Sequence, residues 1–194
     1  MNKQTGFTLV EIAIVMVIIG LLLGGVLKGQ QIILDAKLKN LENQFNGTTA
    51  AYYTYLDRYR ALAGDHKNAD TYFSGVATSS ANGGNGKIEG NFDSTTEGEE
   101  SRLFWLHLRN AGLVAGGTDD QNQPSNPFGG VIGVSTGNVA EIYGLFVGFS
   151  NIPKTTAIMI DLRRDDGGAQ SGSIQGNGND DYGDDKLYDL YFTL

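Results

Sequence analysis

The sequence predicts an α+β fold: one long N-terminal α-helix, half of it apolar and membrane-length and half amphipathic, packed on a small antiparallel β-sheet head. Three observations predict it. An apolar run opens the chain, a helical stripe continues from it without a proline, and strand-like runs gather towards the C-terminus. The 194 residues allow one domain plus an extra element. Hydrophobic residues make up 40%, enough for a modest core. Fourteen Lys and Arg face 22 Asp and Glu, a net charge of -8, so no broad basic surface is available and nucleic acid is not expected as a partner. The absence of cysteine excludes a disulfide framework, a zinc-thiolate site and a cysteine nucleophile.

The first element is the run from Phe7 to Leu27, which carries a single charge, Glu11. As a helix it spans about 31 Å, one bilayer core. A plain secretory signal peptide is the alternative. Two features oppose it: the sequence continues G-G-V-L-K-G-Q-Q with no A-x-A-like site, and a carboxylate inside the run costs up to about 3 kcal/mol at a helix centre. Such a charge predicts a cationic partner. If the chain is cut between Gly6 and Phe7, the new α-amino group lies about 6 Å along the helix from Glu11. A neighbouring subunit displaced along a filament axis then brings its amine to this carboxylate, neutralising both groups and setting the stagger.

Lys3-Gln4-Thr5-Gly6 followed by Phe7-Thr8-Leu9-Val10-Glu11 resembles the type III signal of type IV pilins and type II secretion pseudopilins. The resemblance implies a leader at residues 1–6, cleavage after Gly6 and N-methylation of Phe7 by a membrane-embedded prepilin peptidase, and Glu11 as the assembly carboxylate. It implies a transmembrane and filament-core helix at 7–27. The chain would cross the bacterial inner membrane once, with its head in the periplasm, before passing to a pilus, pseudopilus or cell surface. Implied partners are further copies and other pilins, the prepilin peptidase, the inner-membrane assembly platform, and membrane lipid before assembly. The implied function is structural and not enzymatic, with a minor pilin that contacts surfaces or cargo as the alternative. Many family members kink this helix at a proline. Here Gly20, Gly24 and Gly25 stand in the run and no proline precedes Pro124, so the glycines mark either a bend or a close helix contact.

The amphipathic continuation covers residues 28–62. Leu34, Leu38, Leu41, Phe45, Thr48, Tyr52, Leu56 and Tyr59 form one stripe with spacings of 4, 3, 4, 3, 4, 4 and 3. Gly64 suits a C′ position, and Ala63-Gly64-Asp65 resembles an L-P-G-D element of a pilin-like subgroup. The head occupies 63–194. It opens with a Gly/Asn-rich loop at 65–96. Thr96-Glu97-Gly98-Glu99 offers a capping box for a helix from Ser101 to Ala111, with Trp105 as a core anchor against the long helix and His107 as a satisfied helix residue. Strands are expected at Val131 to Val134, Ile142 to Phe149 and Leu187 to Phe192, and a helix at Ile152 to Leu162, where Pro153 fits a first turn although Ile158, Ile160 and Leu162 alternate. Gly133-Val134-Ser135-Thr136-Gly137 fits G-x-S-x-G, but a strand-like run follows it where a nucleophile elbow needs a helix.

The last chemical feature is acidic. Eight Asp from Asp161 onwards face Arg163, Arg164 and Lys186. Asp165 and Asp166, with Asp180, Asp181, Asp184 and Asp185, bracket a Gly-rich loop at 165–185. Calcium takes roughly six to eight oxygens on such loops, and the major pseudopilins of type II secretion have a similar cysteine-free acidic calcium loop. No cofactor is required on this reading, and calcium is the candidate. A solvated acidic edge is the alternative.

Overall fold

The computed structural model of the chain describes residues 8–79, 83–139, 141–177, 182–183 and 186–194. Its elements are α1 (Leu9–Tyr59), α2 (Ala69–Tyr72), α3 (Glu100–Asn110), β1 (Ile132–Val139), β2 (Ile142–Pro153), α4 (Lys154–Arg164), β3 (Ile174–Gly176) and β4 (Leu187–Thr193). The strands form one antiparallel sheet in the order β1-β2-β4-β3, the α+β architecture the sequence predicts. The chain divides into two units, residues 1–39 and 40–194.

In the first unit α1 runs unbroken through Gly20, Gly24 and Gly25. Leu9, Met16, Leu21 and Leu27 are exposed, like the rest of the apolar run. The helix is long and apolar enough to cross a membrane, and none of its most apolar window is buried in the chain itself. The hydrophobic effect therefore leaves this surface to lipid or to other helices.

In the second unit the stripe of α1 is the centre of the core. Leu41, Thr48, Ala51, Tyr52 and Tyr55 are buried. Tyr55, wholly buried, replaces Leu56 on the inner line, while Leu56 and Tyr59 are each only partly covered. Phe45 meets Phe192 of β4 at 5.0 Å between ring centres, and Phe192 meets Phe149 of β2 at 5.1 Å. Burying one such side chain stabilises the fold by about 1.5–3 kcal/mol. Val134, Val147, Phe149, Leu190 and Phe192 thus make the inner sheet face.

Several boundaries differ from expectation for physical reasons. The long helix ends at Tyr59 because Arg60 adopts the left-handed conformation (φ 54°), so Gly64 is not its C′ residue. Gly64 instead has φ 90°, and a Cβ there would collide with the Glu100 carbonyl of α3. The loop after the helix is not structureless: it contains α2, and Asp65 ties it down. The Asp65 carboxylate accepts from the backbone N–H of Gly84, of Asn85 (3.2 Å) and of Gly86 (2.7 Å). These successive N–H groups form an anion-binding nest, filled here by the chain's own carboxylate.

The Thr96 capping box is absent. Helix α3 begins at Glu100 with Glu99 as an N-cap that makes no side-chain bond, and the Thr96 N–H donates to Ser94 instead. Trp105 is buried against Phe104 (5.1 Å), while it is His107 whose ring stacks on Tyr55 of the long helix. The expected helix near 152–162 forms as α4, with Pro153 ending β2 and serving as N-cap. Strand β3 escaped the sequence because three residues, Ile-Gln-Gly, carry no readable alternation. Ser135 lies within β1, which continues as strand to Val139, and its hydroxyl donates to the Gly90 carbonyl (2.6 Å). No strand-to-helix elbow follows it.

Candidate functional site

The N-terminal site is built around Glu11. Gly6 and Phe7 lie outside the described residues. Thr8 stands at the N-cap of α1 and Glu11 three residues on. The Thr8 backbone N–H and hydroxyl each donate to Glu11 Oε2 at 2.8 Å, and the Glu11 N–H donates to the Thr8 hydroxyl at 3.3 Å. This is a capping box, T-x-x-E, whose signal in Thr8-Leu9-Val10-Glu11 is masked in the sequence by the apolar run around it. Glu11 is exposed, and among the described residues its carboxylate accepts only from Thr8, through Oε2, which leaves lone pairs on both oxygens. The negative group also sits at the positive end of the helix dipole.

The second candidate is the acidic segment after α4. Asp165 and Asp166 lie together, and Asp161, one turn earlier on α4, joins them. Each offers an oxygen, and the three oxygens lie within 4.8 Å of one another. Asp161 was legible from its i, i+4 spacing to Asp165. It is wholly buried; Oδ1 accepts from the Gly167 N–H (2.9 Å) and Oδ2 from the Tyr182 hydroxyl (2.7 Å). Asp165 accepts from the backbone N–H of Ser173 and of Ile174 (2.8 Å), and Asp166 from Gly168 N–H (2.9 Å) and Ser171 hydroxyl (2.7 Å). Burial first, and then the charges of Asp165 and Asp166, push the Asp161 carboxyl above its ordinary value, while its two hydrogen bonds oppose the shift. Asp180, Asp181, Asp184 and Asp185 lie outside the described residues. The three clustered carboxylates fit part of a calcium shell: each oxygen that accepts one hydrogen bond retains a lone pair, but three ligands are fewer than calcium takes.

The two histidines are structural. His107 is wholly buried; its Nδ1 accepts from the Gly64 N–H (3.0 Å), so its Nε2 carries the proton and donates to the Ala77 carbonyl (2.9 Å). The hydroxyl of Tyr55 bonds His66 Nδ1 at 2.7 Å.

Comparison with known proteins agrees with the N-terminal geometry. The family model of the prokaryotic N-terminal methylation motif matches residues 1–27. The chain thus carries the prepilin signal of type IV pilins and pseudopilins, and the motif supports a type IV pilin-like or pseudopilin precursor. No curated protein and no solved structure matches the chain.

Proposed function

We propose that this chain is a structural filament subunit of a type IV pilus or a type II secretion pseudopilus. The methylation motif on residues 1–27, followed by a helix whose apolar surface is left uncovered, carries the reading. A prepilin peptidase removes residues 1–6 and methylates Phe7. The bilayer holds the subunit by residues 7–27, head in the periplasm, until an assembly platform transfers it to the filament. There the apolar helices of neighbouring copies replace lipid, and Glu11 takes the Phe7 ammonium of an adjacent subunit. The N-terminal mass of the chain in purified filaments tests this: a terminus at N-methylated Phe7 supports it, and a filament-free chain that keeps residues 1–6 overturns it. The stoichiometry of the same filaments separates a major subunit from a minor, surface- or cargo-contacting one.

Calcium is the second part of the reading, favoured by the convergence of Asp161, Asp165 and Asp166. Asp180, Asp181, Asp184 and Asp185 are proposed to complete the shell. An ion bound only by the folded state at a hundred times its Kd stabilises by about 2.7 kcal/mol. The full chain in detergent micelles should therefore melt several degrees higher in saturating calcium than in chelator. Identical melting temperatures would remove calcium from the account.

A further inference from the structure

The sheet face turned away from α1 carries a groove whose floor is aromatic and whose walls are acidic. The register places Gly133, Ser135, Phe146, Gly148 and Tyr191 on this face, since Gly133 pairs with Gly148, Ser135 with Phe146, and Gly148 with Tyr191. Asp189, two residues before Tyr191 on β4, shares it. Glycine is required where the loop bearing Phe92 crosses the sheet: a Cβ at Gly148 would enter the Phe92 ring, and one at Gly133 would meet the Phe92 carbonyl. The rings of Phe92, Phe146 and Tyr191 meet at 5.3–6.3 Å between centres, steeply inclined to one another. With Asp93, Asn138 and Asp189 they bound a groove of about 460 Å³. That volume is in the range of small-ligand sites.

Two observations say what the groove lacks. Tyr191 is only 7% exposed, and its hydroxyl oxygen, which stays open to the groove it lines, has no hydrogen-bond partner among the described residues. Among the described residues, no lysine or arginine lies in ion-pair range of Asp93 or Asp189. Burial first, and then the charges of Asp189 and Asp93, push the Tyr191 phenol up to about 12; burial, with the Asp93 charge, raises the Asp189 carboxyl against the hydrogen bonds it accepts from the Asn151 backbone and the Asn177 side chain. The groove is a negative site with an idle polar group.

We propose that this groove binds an organic ammonium group, its charge met by Asp93 and Asp189 and one of its N–H bonds accepted by the Tyr191 hydroxyl oxygen. A divalent metal ion suits the site less: two carboxylates fall short of the six to eight oxygens, roughly, that calcium takes, and the groove is far wider than an ion. A neutral sugar suits it less as well. The three rings are buried against one another, so no open ring face is offered for stacking, and both carboxylates would stay uncompensated.

Titration of the full chain in detergent micelles with putrescine, and with butanediol as its uncharged counterpart, tests the proposal. Saturable putrescine binding, weakened about tenfold or more by Asp93→Asn and by Tyr191→Phe and unchanged by Asp57→Asn on the exposed face of α1, is the expected result; tenfold corresponds to about 1.4 kcal/mol. Asp93 is exposed, so its variant keeps the fold, and circular dichroism of each variant verifies this. The proposal is overturned by an absence of saturable binding, by equal binding of butanediol, or by putrescine binding that ignores both groove variants.

Discussion

Glu11→Ala should leave leader removal intact and abolish filament formation. The peptidase acts on the leader junction, and the apolar run that inserts in the membrane only becomes more apolar in the variant. The helix itself survives: losing the Thr8–Glu11 capping box costs about 0.5–2 kcal/mol at one end of a 51-residue helix. Assembly is different. If Glu11 takes the Phe7 ammonium of the neighbouring subunit, as proposed, the variant leaves that ammonium without its counter-charge in an apolar medium. Removing one partner of a buried pair costs about 3–5 kcal/mol, which is more than about a hundredfold in each subunit addition. Immunoblots of cell and sheared-filament fractions check both halves. A processed, membrane-retained variant is the expected result, and normal filament yield contradicts it.

The second large effect is on the head. His107 joins three segments: the turn at Gly64, the strand-free stretch at Ala77 and, through its ring, Tyr55 (6.3 Å between centres, 11° between planes). Burial is the main cause that lowers its pKa to about 4 from 6.5. The unfolded chain therefore binds a proton at this histidine over a pH range in which the folded chain does not. Stability contributed by the neutral imidazole is complete above pH 6.5 and declines as pH falls towards 4, by about 3 kcal/mol in all. Protonation also turns Nδ1 from acceptor to donor, facing the Gly64 N–H. His66, lowered chiefly by burial, acts in the same direction. Glu100 and Asp161, raised by burial, act in the opposite one, so the histidine is isolated by difference. His107→Gln should melt lower at neutral pH, by about 2–3 kcal/mol, and lose less stability than wild type on acidification from pH 6.5 to 4. Parallel pH profiles would contradict the assignment.

The residues that the sequence disclosed are those whose signal is local. Glu11 stands out because a charge in an apolar run is costly, and the stripe from Leu41 to Tyr59 shows because a helix repeats every few residues. Helix α4 was legible in outline through Pro153. The residues that were missed act across distance in the chain. Asp65 holds Gly84 to Gly86, about twenty positions away, and nothing in Ala63-Gly64-Asp65 announces the nest it fills. His107 reads as an ordinary helix residue until Gly64 and Ala77 are folded against it. Tyr55 lost to Leu56 because both fit the helical period, and only the packing of His66 and His107 chooses between them. Asp161 is the exception: its i, i+4 spacing to Asp165 is local and readable, and it is the burial of its carboxylate against Tyr182 that only the fold shows. The outer groove was invisible because its parts come from the loop at Phe92 and from three strands.

The most direct measurement is the abundance and N-terminal mass of this chain in filaments sheared from its native cell. A dominant species beginning at N-methylated Phe7 is what the account predicts for a principal subunit, and a trace species with the same terminus assigns it a minor place in the same filament. A chain that retains residues 1–6, or that never leaves the membrane in cells making filaments, contradicts polymerisation through the N-terminal helix.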